Sequence, residues 1–232
     1  MPTADANGIR IHYEVHGEGR PLLFILGLGG DVSEYTALID QLAARSRVIA
    51  FDNRGAGRTD KPDAPYSIEL MATDALGVLD ALGISRADVL GVSLGGRIAL
   101  ELALGHPERV ERLILVSTSA RVVPNRRRRR LYPILSGLPL FRSRYPQPRY
   151  AFVRQMAASA GWDARPRLHQ MGMPTVVLHG RSDRAAPLAM AEELHRGIPG
   201  SQLQTFKGGH LFFLIRERRG FVDAVADFVG QG

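Results

Sequence analysis

The chain contains no cysteine and few lysines: only Lys61 and Lys207 stand among its 30 basic residues. The absence of cysteine excludes disulfide scaffolds, thiolate zinc sites and a cysteine nucleophile. No apolar run approaches the roughly 18 residues that a membrane-spanning helix needs, and the first residues lack the basic and apolar stretches of a signal peptide. We therefore expect a cytoplasmic protein with no stable membrane insertion.

The composition is that of a globular protein. Of the 232 residues, 45% are hydrophobic and 23% are charged, which lies close to the globular average and excludes the disordered and fibrous classes. The length suits one domain with a sizeable core, so we predict a single domain over residues 1–232.

The net charge of +7 comes from one segment of the chain. Residues 120–170 contain 12 arginines and one acidic residue, whereas the remainder is mildly acidic. Five of these arginines form the run Arg126–Arg130, which is most simply a solvated surface. Attraction of anionic substrates or of a membrane surface is a sharper alternative. No nucleic-acid partner is expected, because the chain has neither aromatic interleaving nor a recognised binding module.

Apolar runs of strand length alternate with helical patterns over most of the chain. Ile9–Val15 alternates with period two, as a half-buried strand does. The other predicted strands cover 21–26, 47–52, 87–92, 112–117, 174–179 and 202–206, and the predicted helices cover 33–45, 67–82, 95–104, 188–196 and 219–229. This alternation predicts an α/β fold with a mostly parallel sheet flanked by helices on both faces. Residues 121–171 interrupt it with an irregular, basic and proline-containing stretch.

The stretch Gly91–Gly95 lies between a predicted strand and a predicted helix and matches the pattern G-x-S-x-G. The serine of this pattern occupies a strained strand-to-helix turn, in which a side chain at either glycine would clash. The turn exposes the hydroxyl near the positive end of the following helix dipole. An ordinary tight turn with a solvent-facing serine is the alternative, and the context favours Ser93 as a nucleophile.

A serine nucleophile needs a base, and the base needs an acid that orients it. Chains with this type of turn place the three residues in the order serine, acid, histidine. Among the seven histidines, His210 is the one that follows the last predicted strand. Asp183 follows the preceding strand, and no acidic residue occurs between Glu111 and Asp163 that could replace it. An exposed loop histidine and a surface turn aspartate are the alternatives.

Backbone N–H groups stabilise the oxyanion of a tetrahedral intermediate. We predict that Leu94, directly after the nucleophile, supplies one donor and that Leu28, within the glycine-rich stretch Gly27–Gly30, supplies the other. Glycines let that backbone approach a substrate closely. The stretch fits neither G-x-G-x-x-G nor the P-loop pattern, so phosphate binding is a minor alternative. No metal and no organic cofactor is expected.

Over nearly its whole length the chain resembles serine hydrolases of the α/β-hydrolase fold. The stretch Asp52–Asp60 is similar to the D-x-R-G-x-G-x-S loop of that family, and the order Ser93, Asp183, His210 is similar too. The branches that it most resembles are small cofactor-free esterases, perhydrolase-type haloperoxidases and 3-oxoadipate enol-lactonase-like lactonases.

Three features differ from the family pattern. Leu26-Gly27 stands where His-Gly is usual, Ile215–Arg219 replaces an acidic and proline-containing stretch, and the segment at the lid position is short. The resemblance implies that residues 121–171 form a short basic lid over the active site, with Leu131–Phe141 as its apolar underside. Packing of these apolar residues into the core is the alternative.

The resemblance also implies a type of chemistry. Haloalkane dehalogenases and epoxide hydrolases of this fold use an aspartate where Ser93 stands, whereas a serine favours acyl transfer. We therefore predict a carboxylesterase that hydrolyses a small-molecule ester through an acyl-enzyme intermediate. A lactonase or C–C bond hydrolase of the same fold is one alternative, and a non-catalytic ligand-binding protein is another.

Overall fold

The structure of the protein, a computed structural model, describes residues 2–122 and 144–230. Its strands are β1 (Thr3–Ala6), β2 (Ile9–His16), β3 (Pro21–Ile25), β4 (Arg47–Phe51), β5 (Ala87–Val92), β6 (Val110–Val116), β7 (Thr175–Gly180) and β8 (Gln202–Phe206). They form one sheet in the order β1-β2-β4-β3-β5-β6-β7-β8. Strands β1, β2 and β4 pair antiparallel, and the other neighbours pair parallel. The predicted fold with a mostly parallel sheet is confirmed.

Helices cover both faces of the sheet. They are α1 (Thr36–Ala43), α2 (Ile68–Ala81), α3 (Leu94–Gly105), α4 (Arg149–Ala157), α5 (Leu188–Gly197) and α6 (Arg218–Val229). Because successive side chains of a strand point to opposite faces, Leu23 and Ile25 join the core beneath α2, α3 and α5, whereas Leu22 and Phe24 join the core beneath α1 and α6. None of the helices in the described residues is long and apolar enough to cross a membrane.

The strand register brings the predicted site segments to one edge of the sheet. Ile25 of β3 lies opposite Gly91 of β5, and Val116 of β6 lies opposite Leu178 of β7. The chain leaves all four strands at their carboxyl ends, where ligands collect in parallel sheets. The loops after these strands therefore begin side by side.

Two elements near the amino terminus differ from the prediction. Strand β1 was not predicted, because its sequence Thr-Ala-Asp-Ala shows no strong apolar alternation. Helix α1 begins at Thr36 rather than at residue 33, because Asp31 caps a separate 3-10 turn over Val32–Glu34. The cap is formed by the Asp31 carboxylate, which accepts a hydrogen bond from Ser33 N–H at 2.9 Å.

The prediction that residues 121–171 are irregular is wrong for part of that segment. Helix α4 and a 3-10 turn over Arg165–Gln170 lie within it. Three side chains of α4 are buried, those of Ala151, Phe152 and Gln155. This helix therefore lacks the broad apolar stripe by which amphipathic helices are identified from sequence.

The insertion between β6 and β7 is closed where its described ends meet. Arg121 and Asp163 form an isolated antiparallel bridge, and Ala164 N–H donates a hydrogen bond to Ala120 O at 2.8 Å. Next to this closure the insertion is fastened to α3, because Trp162 Nε1 donates a hydrogen bond to Glu101 Oε2 of that helix at 2.8 Å. The insertion is thus anchored at its base.

The arginine run Arg126–Arg130 and the apolar stretch Leu131–Phe141 lie outside the described residues, as do all of residues 123–143. The short lid over residues 121–171 and the single domain over residues 1–232 stay predictions.

Candidate active site

The three side chains predicted as nucleophile, base and acid form one chain of hydrogen bonds at the carboxyl edge of the sheet. His210 Nε2 lies 3.0 Å from Ser93 Oγ, and His210 Nδ1 lies 2.7 Å from Asp183 Oδ2. Ser93 stands between β5 and α3, Asp183 follows β7 and His210 follows β8. Asp183 is buried, whereas Ser93 and His210 are partly exposed. The chain thus runs from a buried carboxylate to an accessible hydroxyl.

Ser93 adopts a backbone conformation that residues with a side chain rarely occupy, with φ 54° and ψ −110°. The flanking glycines leave room for the surrounding backbone. A Cβ atom on Gly91 would lie 2.4 Å from Gly95 O, and one on Gly95 would lie 2.1 Å from Ile25 O. Ser93 N–H donates to Val116 O at 2.9 Å, which helps to hold the strained turn in place.

Replacing Gly95 with alanine should test the steric origin of this turn. The new Cβ would overlap a backbone carbonyl that cannot swing away, so we expect the free energy of unfolding to fall by about 3 kcal/mol or more. Gly105→Ala is the matched control in the same helix, because no atom lies within 4 Å of the added Cβ. The control should be neutral or slightly stabilising. Urea unfolding measures both variants, and equal effects would contradict the steric explanation.

Asp183 is held as an ionised acceptor. Its Oδ1 accepts hydrogen bonds from Ala185 N–H at 2.7 Å and Ala186 N–H at 2.9 Å, and its Oδ2 faces His210. Burial by itself raises the pKa of the Asp183 carboxyl, but the hydrogen bonds from His210 and from the two backbone N–H groups outweigh burial, so that the pKa is lowered. The carboxylate is therefore ionised at neutral pH.

The stability that Asp183 contributes should depend on pH. Because its pKa in the folded protein lies below the ordinary value of 3.8, the contribution is present above that value and disappears as the pH falls through the folded-state pKa. We expect Asp183→Asn to lower the free energy of unfolding at neutral pH, with a difference from wild type that shrinks as the pH falls. Urea unfolding from about pH 7 to about pH 3 measures this. A difference that stays constant over this range would show that ionisation of Asp183 does not stabilise the fold.

A second histidine lies against the same carboxylate. His179 Nε2 is 3.5 Å from Asp183 Oδ2 and 2.8 Å from Ala186 O, and the side chain is fully buried. Burial lowers the pKa of His179, so the ring is neutral and donates its Nε2–H to the Ala186 carbonyl. Among the described residues, its Nδ1 has no hydrogen-bond partner. From the sequence, His179 is only the last residue of a predicted strand, and its contact with the acid was missed.

Two hydroxyl groups that follow β6 hold the backbone of Ser93 and of His210. Thr118 Oγ1 donates to Ser93 O at 2.6 Å, and Ser117 Oγ donates to His210 O at 3.0 Å. Both residues are fully buried. Sequence reasoning missed these roles, although the position of both residues at the carboxyl end of a central strand was a signal that could have found them.

The two predicted oxyanion donors, Leu28 N–H and Leu94 N–H, belong to backbone segments next to Ser93. Leu94 is the first residue of α3, so its N–H has no acceptor within the helix. Leu28 follows Gly27, where an added Cβ would lie 3.6 Å from Ser93 Cβ. Among the described residues, neither Leu28 N–H nor Leu94 N–H donates a hydrogen bond to another group. Within the described residues, both N–H groups thus remain without an acceptor.

The loop after β4, which carries the motif resembling the family pattern, supports the backbone around the Leu28 turn. Asp52 Oδ1 accepts from Val32 N–H at 2.7 Å, and its Oδ2 accepts from Arg58 N–H at 2.8 Å. Asn53 Nδ2 donates to Leu26 O at 2.9 Å. Asp52 and Asn53 therefore hold these backbone segments together through internal hydrogen bonds.

Comparison with known proteins agrees with this architecture. The family model described as alpha/beta hydrolase fold matches residues 20–159. A putative carbamate hydrolase RutD from Azorhizobium caulinodans is 32% identical over 93% of each chain. A 2-hydroxymuconate semialdehyde hydrolase from Pseudomonas sp. strain CF600 is 32% identical over 97% of this chain and 92% of its own. The crystal structure of the enol-lactonase from Burkholderia xenovorans LB400 is similar with a TM-score of 0.89 and 27% identity, over 98% of this chain and 99% of that chain. The chain belongs to the α/β-hydrolase fold family.

Proposed function

We propose that this hydrolase cleaves carboxylic esters through an acyl-enzyme intermediate formed on Ser93. The observation that carries the proposal is the continuous hydrogen-bond chain from Ser93 Oγ through His210 to Asp183. A hydroxyl, an imidazole and a carboxylate in this order can activate the hydroxyl at neutral pH, which no one of the three groups does alone.

In the first half of the reaction, His210 Nε2 accepts the hydroxyl proton while Ser93 Oγ attacks the ester carbonyl carbon. This step requires the imidazole tautomer with hydrogen on Nδ1, and the ionised Asp183 Oδ2 favours it because a carboxylate only accepts hydrogen bonds. The oxyanion develops beside the N–H groups of Leu28 and Leu94. Collapse of the tetrahedral intermediate expels the alcohol, which takes its proton from His210.

In the second half, water replaces the alcohol. His210 Nε2 accepts a proton from the water as its oxygen attacks the acyl carbonyl carbon, and the same N–H groups stabilise the second oxyanion. Collapse breaks the bond between the acyl carbon and Ser93 Oγ, and His210 returns the proton to the serine. The products are a carboxylic acid and the regenerated enzyme.

Hydrolysis of a lactone or of a C–C bond is the second candidate function. A lactone is a cyclic ester, so the same steps apply to it, and the similarity to the enol-lactonase favours it. The similarity to the 2-hydroxymuconate semialdehyde hydrolase favours C–C bond cleavage. A non-catalytic ligand-binding role is disfavoured by the short contact between Ser93 and His210, which binding alone does not require.

A substrate panel tests the proposal. We would compare kcat/KM for p-nitrophenyl acetate, butyrate and octanoate with that for γ-valerolactone and for 2-hydroxymuconate semialdehyde. The proposal expects the best ester to exceed both other substrates by at least about tenfold, which corresponds to 1.4 kcal/mol of transition-state binding. A preference of that size for the lactone or the semialdehyde would replace the proposal with the second candidate. No turnover, together with no labelling of Ser93 by a fluorophosphonate, would favour a binding protein.

A further inference from the structure

The side chain of Gln155 in α4 is fully buried and reaches the turn that carries Leu28. Gln155 Oε1 accepts a hydrogen bond from Gly29 N–H at 3.0 Å, and Gln155 Nε2 donates to Arg54 O at 2.7 Å. Gln147 Nε2 also donates to Gln155 Oε1, at 3.1 Å. Three of the four hydrogen bonds available to the amide are therefore made, and its orientation is fixed.

The turn that Gln155 contacts has the geometry of a type II turn. Gly30 N–H donates to Gly27 O at 3.3 Å, and Gly29 has φ +73°, as the third residue of a type II turn requires. Glycine adopts negative φ as readily, so the peptide between Leu28 and Gly29 could flip to a type I turn. Gln155 Oε1 opposes the flip, because the flip would turn a carbonyl oxygen toward it in place of an N–H.

The hydrogen-bond acceptor for the oxyanion turn comes from a distant part of the sequence. The position before Gly27 is Leu26, whose side chain is buried in the core and offers no polar group to the turn. The acceptor for Gly29 N–H comes instead from the insertion between β6 and β7, 126 positions further along the chain. The oxyanion turn and the insertion are thus fastened to each other.

We propose that Gln155 is a positioning residue for the oxyanion hole: its hydrogen bond to Gly29 N–H anchors the turn and thereby fixes the position of the neighbouring Leu28 N–H, the proposed donor. The inference rests on the proposed function, because it assigns Gln155 to the oxyanion hole of that reaction. Gln155 does not touch the reacting atoms. It acts through Gly29, the residue next to the donor.

The test compares Gln155→Met, which keeps the length of the side chain but removes both polar atoms, with Trp162→Phe. The control removes one hydrogen bond from the same insertion, that between Trp162 Nε1 and Glu101 Oε2 at 2.8 Å, and touches no part of the oxyanion turn. We expect Gln155→Met to lower kcat for p-nitrophenyl butyrate by about tenfold to a hundredfold with a nearly unchanged KM, because a misplaced donor costs transition-state binding. The control should keep the wild-type kcat.

A second readout requires no turnover. Phenylboronic acid forms a tetrahedral adduct with an active serine and places an oxygen where the oxyanion develops, so its dissociation constant, measured by calorimetry, reports on the hole. We expect Gln155→Met to raise this constant by about the same factor as it lowers kcat, and Trp162→Phe to leave it unchanged. Gln155→Glu keeps an acceptor for Gly29 N–H and, because burial favours the protonated carboxyl, a donor for Arg54 O, so it should recover most of kcat and of boronate affinity.

Several outcomes would overturn the inference. The first is that Gln155→Met keeps the wild-type kcat and boronate affinity. The second is that Gln155→Met and Trp162→Phe lower kcat equally. The third is that Gln155→Met and Gln155→Glu lower kcat equally. Should Gln155→Met fail to fold, Gln155→Asn replaces it, because the shorter amide can be hydrated but is withdrawn from Gly29. Failure of the proposed function is a distinct result: the wild-type protein itself would then neither turn over the ester nor bind the boronate.

Discussion

Replacing Ser93 with alanine should lower kcat for an ester substrate by roughly 10⁴–10⁶-fold. The variant loses the only atom that the proposed mechanism uses to form the acyl-enzyme, while the N–H groups of Leu28 and Leu94 persist and account for the residual rate. Alanine is no bulkier than serine and inherits the same backbone conformation at φ 54°. The fold should therefore survive, and the loss should lie in the chemical step.

The matched control for Ser93→Ala is Ser85→Ala, at an exposed position in the turn before β5. It should keep the wild-type kcat. Mass spectrometry after treatment with a fluorophosphonate provides an independent readout, because the adduct should form on wild type and on the control but not on Ser93→Ala. Retention of more than about a tenth of the wild-type kcat in Ser93→Ala, at unchanged circular dichroism, would refute Ser93 as the nucleophile.

Replacing Asp183 with asparagine should lower kcat by about 10⁴-fold, although the side chain keeps its shape. The N–H groups of Ala185 and Ala186 both point at the Oδ1 position, so the amide oxygen of asparagine must face them. The amide NH₂ group then faces His210 Nδ1 and donates to it. This stabilises the tautomer with hydrogen on Nε2, which cannot accept the proton of Ser93.

The measurement for Asp183→Asn compares the change in kcat with the change in KM. The change alters the tautomer of the base and not the substrate-binding surface, so KM should stay close to wild type. A double variant with His210→Ala should be no worse than His210→Ala alone, since the acid acts only through the histidine. Additive losses in the double variant would mean that Asp183 has a function separate from orienting His210.

Local patterns in the sequence were sufficient to predict the elements that carry the candidate site. Ser93, Asp183 and His210 each follow a short apolar run, and a buried parallel strand ends at the edge where such residues meet. Gln155 could not be found in this way, because it is a single amide on a helix with few buried residues, and its partner Gly29 lies 126 positions away. Such a contact depends on how the insertion packs, which no periodicity encodes.

The contact between His179 and Asp183 could not be predicted from the sequence either. Both histidines stand at or beyond the end of a predicted strand, and only the three-dimensional arrangement shows that one is fully buried behind the carboxylate while the other reaches the serine. The missed helix α4 has a related cause, because only three of its nine residues are buried. Where burial is sparse, the hydrophobic pattern is too weak to identify a helix.

The closure of the insertion at Ala120 and Ala164 has a consequence for protein engineering. Because the two ends are hydrogen-bonded to each other, the segment between them could be exchanged for that of a relative without moving β6 or β7. Such a graft would also remove Gln155 and with it the acceptor for Gly29 N–H. A replacement segment chosen for its substrate preference must therefore also supply a hydrogen-bond acceptor for Gly29 N–H. Without one, the new specificity would come with a lower kcat.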